Sequence, residues 1–261
     1  MQAYAPGSVT IIFVPQPKQR EEGSLGVSFA IEDGVVAEIE ESSETSIRLD
    51  GDPTAFEPVE IALRELGVTV EVSLTSELPV GYGFGASGAA TLATVLAAND
   101  ALELEQSREE LVEVARHAEV EAGTGLGDVF IQSLGGLVWN VGDGVERVGL
   151  TDPIEYTAFA GIETSEALSD THLMKQISDL GEDILAQFSA GSTMTELLEL
   201  SWEFARRTDV ATSRVIEEVA RVKRVGGTAS MAMLGETVIA TDVQGALENS
   251  TYVTPQGARL L

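Results

Sequence analysis

The chain has 261 residues, 44% of them hydrophobic, and acidic residues outnumber basic ones 43 to 15, giving a net charge of -28. An ordinary apolar fraction at this length predicts one large folded domain, or two small ones around one cleft. The absence of cysteine excludes disulfides, thiolate metal sites and thiol catalysis.

The charge argues against nucleic-acid or anionic-membrane partners, because phosphate would be repelled. Only three of the basic residues are lysines, namely Lys18, Lys175 and Lys223. An acid excess with scarce lysine is typical of proteins that work in concentrated salt, although a mesophilic acidic protein is the alternative. No apolar run approaches the ~18 residues of a membrane span, and residues 1–8 do not resemble a secretory signal. A cytoplasmic enzyme is therefore expected.

Hydropathy periodicity predicts a mixture of strands and helices along the chain. Strands are expected at 9–14, 35–40 (entered through a turn at Asp33 and Gly34), 47–49, 68–72, 137–141, 145–149 and 156–161. Helices are expected at 55–66, 89–102 (buried), 107–122 (opened by a capping box of Ser107 and Glu110), 171–188, 193–207 and 210–221. A hairpin at 230–241 follows. This order favours an α+β fold over a doubly wound sheet.

The strongest local signal is a glycine-rich segment at 78–90, Leu-Pro-Val-Gly-Tyr-Gly-Phe-Gly-Ala-Ser-Gly-Ala-Ala. Its four glycines remove side chains where a ligand comes close, and the helix start behind them offers free N–H groups to phosphates. Ser87, at that helix start, is placed to cap the helix or to bind magnesium. The Gly-x-Gly-x-x-Gly spacing also fits a dinucleotide loop, although no strand leads directly into it. A P-loop is excluded because no Gly-Lys-Ser/Thr follows, and a structural loop is the remaining alternative.

This segment resembles the phosphate motif of the GHMP kinase superfamily, Pro-x-x-x-Gly-Leu-Gly-Ser-Ser-Ala. The resemblance assigns nucleotide binding to Pro79, Gly81, Gly83, Phe84, Gly85, Ala86, Ser87, Gly88 and Ala89. Segments 5–9 and 226–230 resemble the N-terminal and C-terminal motifs of the same superfamily. The resemblance implies ATP and Mg²⁺ as cofactors, with Ser87 on the metal.

The same resemblance implies a two-lobed α+β fold around one active-site cleft. The N-terminal lobe, 1–150, would resemble ribosomal protein S5 domain 2 and carry the phosphate loop 79–90 and a catalytic loop at 123–128. The C-terminal α/β lobe would span 151–261.

Glu119 and Asp128 are the candidate metal ligand and catalytic carboxylate. Segment 113–128 reads as a helix that ends at Gly123, followed by a glycine loop that presents Asp128. Phosphoryl transfer needs a carboxylate near the acceptor hydroxyl and hard oxygen ligands for magnesium. The resemblance implies the same two roles, while Glu121 is a weaker metal candidate and a solvated acidic face is the alternative interpretation.

The lysine of the superfamily's N-terminal motif is Ser8 in this chain. That change leaves open whether Asp128 acts as a base or only orients the hydroxyl. Lys18 and Arg20 are candidates for the missing positive charge.

Segments 81–89, 123–129 and 229–235 resemble an archaeal branch of the superfamily that phosphorylates pantoate. The resemblance implies transfer of the ATP γ-phosphoryl group to the primary hydroxyl of pantoate, giving 4-phosphopantoate for coenzyme A biosynthesis. Segment 23–29 resembles the substrate segment of that branch, which assigns substrate binding to Ser24, Gly26 and Ser28, with Arg20 as the cation for the carboxylate. A homoserine or mevalonate kinase and a non-catalytic nucleotide-binding regulator are the alternatives, and a homodimer is a candidate assembly.

Overall fold

The computed structural model describes residues 1–15, 24–125, 127–142, 144–161, 171–233 and 235–261. The strands are β1 (Gln2–Pro15), β2 (Ser24–Glu41), β3 (Ser46–Leu49), β4 (Asp52–Pro53), β5 (Val70–Ser76), β6 (Leu137–Asn140), β7 (Val145–Val148), β8 (Pro153–Gly161), β9 (Thr228–Ala232), β10 (Gly235–Thr241), β11 (Asn249–Tyr252) and β12 (Arg259–Leu260). The helices are α1 (Glu57–Leu66), α2 (Ala86–Ala101), α3 (Arg108–Ala122), α4 (Asp128–Leu134), α5 (Thr171–Leu185), α6 (Met194–Arg207) and α7 (Ser213–Arg224). None of the helices in these ranges is long and apolar enough to cross a membrane.

The strands form two sheets, and the mixture of antiparallel strands and helices confirms the predicted α+β class. The first sheet has the order β12-β1-β2-β5-β3-β4, with β6 paired to β2 and β7 paired to β6. The second sheet has the order β11-β8-β10-β9. The chain changes sheets between β7 and β8, and its last strand, β12, returns to pair with β1. A domain boundary near residue 150 stays a prediction.

Two hydrophobic clusters form the core, and they divide β1 and β2 along their lengths. One packs α1, α2 and α3 against β2 and β5. The other joins the central part of β1 to the second sheet and its helices, with the rings of Phe13 and Phe204 5.9 Å apart. Trp139, Trp202, Met231 and Met233 all belong to this second cluster. Ala5 belongs to the first cluster and Val9 to the second, so the buried polar residue Ser8 lies on β1 at the junction of the two clusters.

One local prediction is wrong. Asp33 and Gly34 do not form a turn, because β2 continues through them and its pairing with β1 shifts between Pro6 and Gly7. Such a shift is a β-bulge, which bends a strand without ending it. Asp128 is the first residue of α4, directly after the glycine-containing segment 123–127. A carboxylate is favoured there by the positive end of the helix dipole.

Candidate active site

The glycine-rich loop holds its shape through three left-handed glycines. Gly81, Gly83 and Gly85 have φ angles of 86°, 86° and 63°, a region that side-chain-bearing residues rarely adopt. Gly85 is the N-cap of α2, and no side chain caps this helix end. The first N–H groups of α2 therefore face the loop with no competing side-chain acceptor, as an anion site requires.

The loop packs against the turn between β9 and β10. A Cβ on Gly83 would lie 2.9 Å from the Met233 carbonyl oxygen, and one on Gly235 would lie 2.2 Å from the Tyr82 carbonyl oxygen. Thr237 Oγ1 also donates to the Tyr82 carbonyl at 2.8 Å. The loop is thus fixed by the second sheet as well as by α2.

The predicted C-terminal motif at 226–230 lies elsewhere. Gly226 and Gly227 stand before β9, while the contacts to the glycine-rich loop come from the residues that follow it. The residues next to the loop are Ala232, Met233 and Gly235, which fall within the segment 229–235 of the archaeal-branch resemblance.

Glu119 is a buried carboxylate surrounded by hydroxyl groups. It is 3% exposed, and its Oε1 accepts from Ser87 Oγ and Thr91 Oγ1, each at 2.9 Å. Its Oε2 accepts from Thr124 Oγ1 at 2.8 Å. Burial raises the pKa of Glu119 to about 7, opposed by these three hydrogen bonds and increased by the nearby Asp128 charge.

Helix ends position Glu119 and the residues around it. The capping box of Ser107 and Glu110 opens α3, which confirms the prediction, and Gly123 closes it at a φ of 73°. Glu119 lies in the last turn, where the next bend brings the Thr124 hydroxyl back onto its carboxylate.

Asp128 lies directly beneath the glycine-rich loop. Its Oδ1 accepts from Ser8 Oγ at 2.7 Å, and a Cβ on Gly85 would lie 3.1 Å from its Cγ. Desolvation of the carboxyl group raises the pKa of Asp128, and the hydrogen bond from Ser8 lowers it. Ser8, the departure from the superfamily's lysine, is therefore the direct partner of the predicted catalytic carboxylate.

The two carboxylates face one small space beside Gly125. A Cβ at this glycine would lie 3.3 Å from Glu119 Oε2 and 3.6 Å from Asp128 Oδ2. Within the described ranges, no group of three or more His, Cys, Asp or Glu residues could form a metal cage. A pair of carboxylates with a hydroxyl fits Mg²⁺, which usually takes one or two protein carboxylates together with substrate phosphates.

The predicted substrate residues lie along the neighbouring strands. Ser28 is buried and its Oγ donates to Thr10 Oγ1 at 3.2 Å, and Thr10 follows Ser8 by two residues on the same face of β1. Gly26 packs against β1, because a Cβ there would lie 2.3 Å from the Ile12 carbonyl oxygen. Arg20 and Lys18 lie outside the described residues, as does the side chain of Ser24.

The weaker metal candidate, Glu121, differs from Glu119 in its surroundings. Glu121 is exposed and forms an ion pair with Arg64 at 3.0 Å, away from Ser87, so the arrangement favours Glu119 for a metal. His117 is exposed and pairs with Glu65. His172 has no described side chain.

Four polar residues of the site were not predicted: Thr10, Thr91, Thr124 and Gln132. Thr91 and Thr124 stand within five residues of Ser87 and Glu119, so a search for hydroxyls one helical turn away could have found them. Gln132 belongs to none of the sequence motifs, so nothing in the sequence pointed to it. It is fully buried, and its Nε2 lies 2.6 Å from the Gly85 carbonyl oxygen and 3.2 Å from Ser8 Oγ.

Comparison with known proteins places this site within a family. Residues 54–136, which contain the glycine-rich loop, Glu119 and Asp128, match the model of the GHMP kinases N terminal domain. The chain is 30% identical to a protein named pantoate kinase from Methanocaldococcus jannaschii, over 96% of each chain. It is 36% identical to a mevalonate kinase from Pyrococcus horikoshii over 31% of this chain and 25% of that one.

A solved structure described as a phosphotransferase related to the CoA biosynthesis pathway has the same fold. It superposes with a TM-score of 0.84 at 22% identity, covering 99% of this chain and 97% of the other. The full-length match and the family model together agree with the superfamily resemblance of the motifs. The chain belongs to the GHMP kinase family and is a kinase.

Proposed function

We propose that this kinase transfers the γ-phosphoryl group of ATP to the primary hydroxyl of pantoate, giving 4-phosphopantoate. The observation that carries the proposal is the placement of Asp128 beneath an uncapped helix start and beside Glu119. Pantoate is favoured over mevalonate because the relative named pantoate kinase matches nearly the whole chain, whereas the mevalonate kinase matches under a third of it.

The nucleotide phosphates would lie at the N-terminus of α2, cradled by residues 79–89. The left-handed glycines of this loop leave main-chain N–H groups uncovered, and the helix dipole favours negative charge there. Residues 79–89 include no cationic side chain. Main-chain N–H groups would therefore supply the attraction to phosphate at this loop.

Glu119 and Ser87 would hold Mg²⁺, which supplies positive charge against the phosphates of bound ATP. Without a cation, Glu119 is a buried acid whose pKa is raised to about 7. Burial disfavours the ionised form of Glu119, and a bound cation would offset that cost by pairing with the carboxylate.

Asp128 would take the proton of the acceptor hydroxyl as that oxygen bonds to phosphorus and ADP leaves. Its pKa is raised by burial, and a raised pKa makes a carboxylate a stronger general base. In the described ranges its pKa is lowered only by the Ser8 hydroxyl, which polarises the carboxylate less than a lysine would. From the direction of this pKa shift, we propose base chemistry rather than orientation alone.

The substrate would lie beyond Asp128 along β1 and β2, with Ser28 and Thr10 as hydroxyl partners. We propose Arg20 as the cation for the pantoate carboxylate, since a planar fork suits that group. A cytoplasmic location and a homodimer remain predictions.

The test is ADP release with a panel of pantoate, pantothenate, homoserine and mevalonate, with product masses measured. We expect phosphorylated pantoate, and no product from pantothenate, whose carboxylate is blocked as an amide. Arg20→Ala should raise the KM for pantoate and leave the KM for ATP unchanged. Faster ADP release with homoserine or mevalonate would reject pantoate while retaining the family assignment.

A further inference from the structure

Gln132 lies one helical turn after Asp128 on α4, so both side chains leave the same face of the helix. Its amide nitrogen contacts both the Gly85 carbonyl oxygen, at 2.6 Å, and Ser8 Oγ, at 3.2 Å. Ser8 Oγ in turn contacts Asp128 Oδ1 at 2.7 Å. These contacts form a chain from the glycine-rich loop to the candidate catalytic carboxylate.

The direction of this chain is fixed by its two ends. The Gly85 carbonyl can only accept, so the Gln132 amide must present its N–H₂ group to Gly85 and to Ser8. The same amide group then occupies a lone pair of Ser8 Oγ. An ionised Asp128 can only accept, so the Ser8 hydroxyl hydrogen is directed onto Oδ1. The remaining oxygen, Oδ2, faces Gly125.

This chain of hydrogen bonds has room only because residue 85 is a glycine. A Cβ on residue 85 would lie 2.3 Å from Ser8 Oγ and 2.7 Å from Gln132 Nε2. The other amide atom, Gln132 Oε1, is buried without a hydrogen-bond partner among the described residues. An unpaired buried acceptor costs stability, so simple filling of this space would favour an apolar side chain. What glutamine adds here is its pair of N–H donors.

We propose that Gln132 is a positioning residue for phosphoryl transfer, acting through Ser8 to hold Asp128 with Oδ2 toward the acceptor hydroxyl. The neutral chain of Gln132 and Ser8 takes the place of a charged partner for Asp128. This inference rests on the proposed function of Asp128, and its test is designed to fail separately from it.

The test is a double-mutant cycle in kcat with Ser8→Ala and Gln132→Met, each of which removes one donor and preserves most of the volume. Each single variant should lower kcat about tenfold, because Ser8→Ala removes the hydrogen bond to the Asp128 carboxylate and Gln132→Met removes the donor that orients Ser8. The double variant should have nearly the kcat of Ser8→Ala alone, and the KM for ATP should stay within about twofold throughout.

Thr94→Val is the matched control, because the Thr94 hydroxyl is also buried without a partner among the described residues. It should leave kcat unchanged. A role of Gln132 in folding alone would lower the melting temperature and leave the kcat of the folded enzyme unchanged, so the separation of kcat from KM tests positioning directly.

Three results would overturn the inference: an unchanged kcat in Gln132→Met, a double variant whose loss is the product of the single losses, or an unchanged kcat in Ser8→Ala. The last result decides the matter even if Gln132→Met does not fold. Asp128→Asn, measured in parallel, distinguishes failure of the proposed role of Asp128 from failure of the proposed role of Gln132. If it retains turnover, the proposed role of Asp128 fails; if it alone loses turnover, only the role of Gln132 fails.

Discussion

Glu119→Gln should stabilise the metal-free protein, and the gain should grow as the pH rises. Burial raises the pKa of Glu119 from its ordinary 4.5 to about 7, so the folded protein holds this proton more tightly than the unfolded chain. The contribution of this bound proton to the free energy of unfolding is complete below the pKa of Glu119 in the unfolded chain. It is lost as the pH rises through 7. At 1.36 kcal/mol per pKa unit, the loss between pH 5 and pH 8 is about 2 to 3 kcal/mol.

A glutamine can occupy the same place because the hydroxyls can rearrange. Ser87 and Thr91 would still donate to Oε1, while Thr124 could accept from the amide and turn its hydrogen to the main-chain carbonyl of residue 119, 3.3 Å away. The neutral side chain then has no pKa in this range.

The assay is urea unfolding at pH 5 and pH 8, in concentrated potassium chloride without magnesium. The free energy of unfolding of Glu119→Gln should exceed that of the wild type by about 2 to 3 kcal/mol more at pH 8 than at pH 5. Glu121→Gln is the control, since Glu121 is exposed beside Arg64, and it should show no such trend. Parallel pH curves for wild type and Glu119→Gln would refute the reasoning.

Three further outcomes follow from the same geometry. Gly85→Ala should lower kcat at least about tenfold in steady-state kinetics, because the new Cβ would meet Ser8 Oγ. Gly81→Ala is the control, because Gly81 also has a positive φ but a Cβ there meets nothing within 4 Å. An equal loss in both variants would show an effect of backbone strain alone. Ser87→Ala should raise the magnesium concentration for half-maximal rate, and an unchanged metal titration would remove Ser87 from the metal site. The net charge of -28 predicts a melting temperature that rises with potassium chloride, because salt screens self-repulsion; thermal melts that stay flat or fall with salt would contradict a salt-adapted surface.

Local signals in the sequence sufficed for the glycine-rich loop, α2 and α3. The capping box of Ser107 and Glu110 depends on residues three positions apart and opens α3 where it was predicted. Helix α2 instead begins at Ala86, three residues before its predicted start, and Ser87 does not cap it. The burial of the alanine-rich helix α2 was predictable because its residues are apolar nearly all round.

Contacts between distant residues could not be predicted in this way. Ser8 and Asp128 are 120 residues apart, so the sequence indicated a missing lysine without identifying what replaces its effect. Gln132 stands in a seven-residue helix after a glycine-rich stretch, where hydropathy periodicity has too few turns to register. The bulge in β2 was not predicted because an Asp-Gly pair is typical of both turns and bulges.

The most direct test of the account is turnover of Asp128→Asn with pantoate, measured as ADP release beside ATP binding. We predict that the wild type phosphorylates pantoate, and that the variant binds magnesium–ATP with a Kd within about threefold of the wild type and turns over at least about 100-fold more slowly. The side chain loses its basicity while the Ser8 hydroxyl keeps an acceptor oxygen, so the loss reports chemistry rather than folding. Near-normal turnover in Asp128→Asn would contradict the assignment of Asp128 as the base.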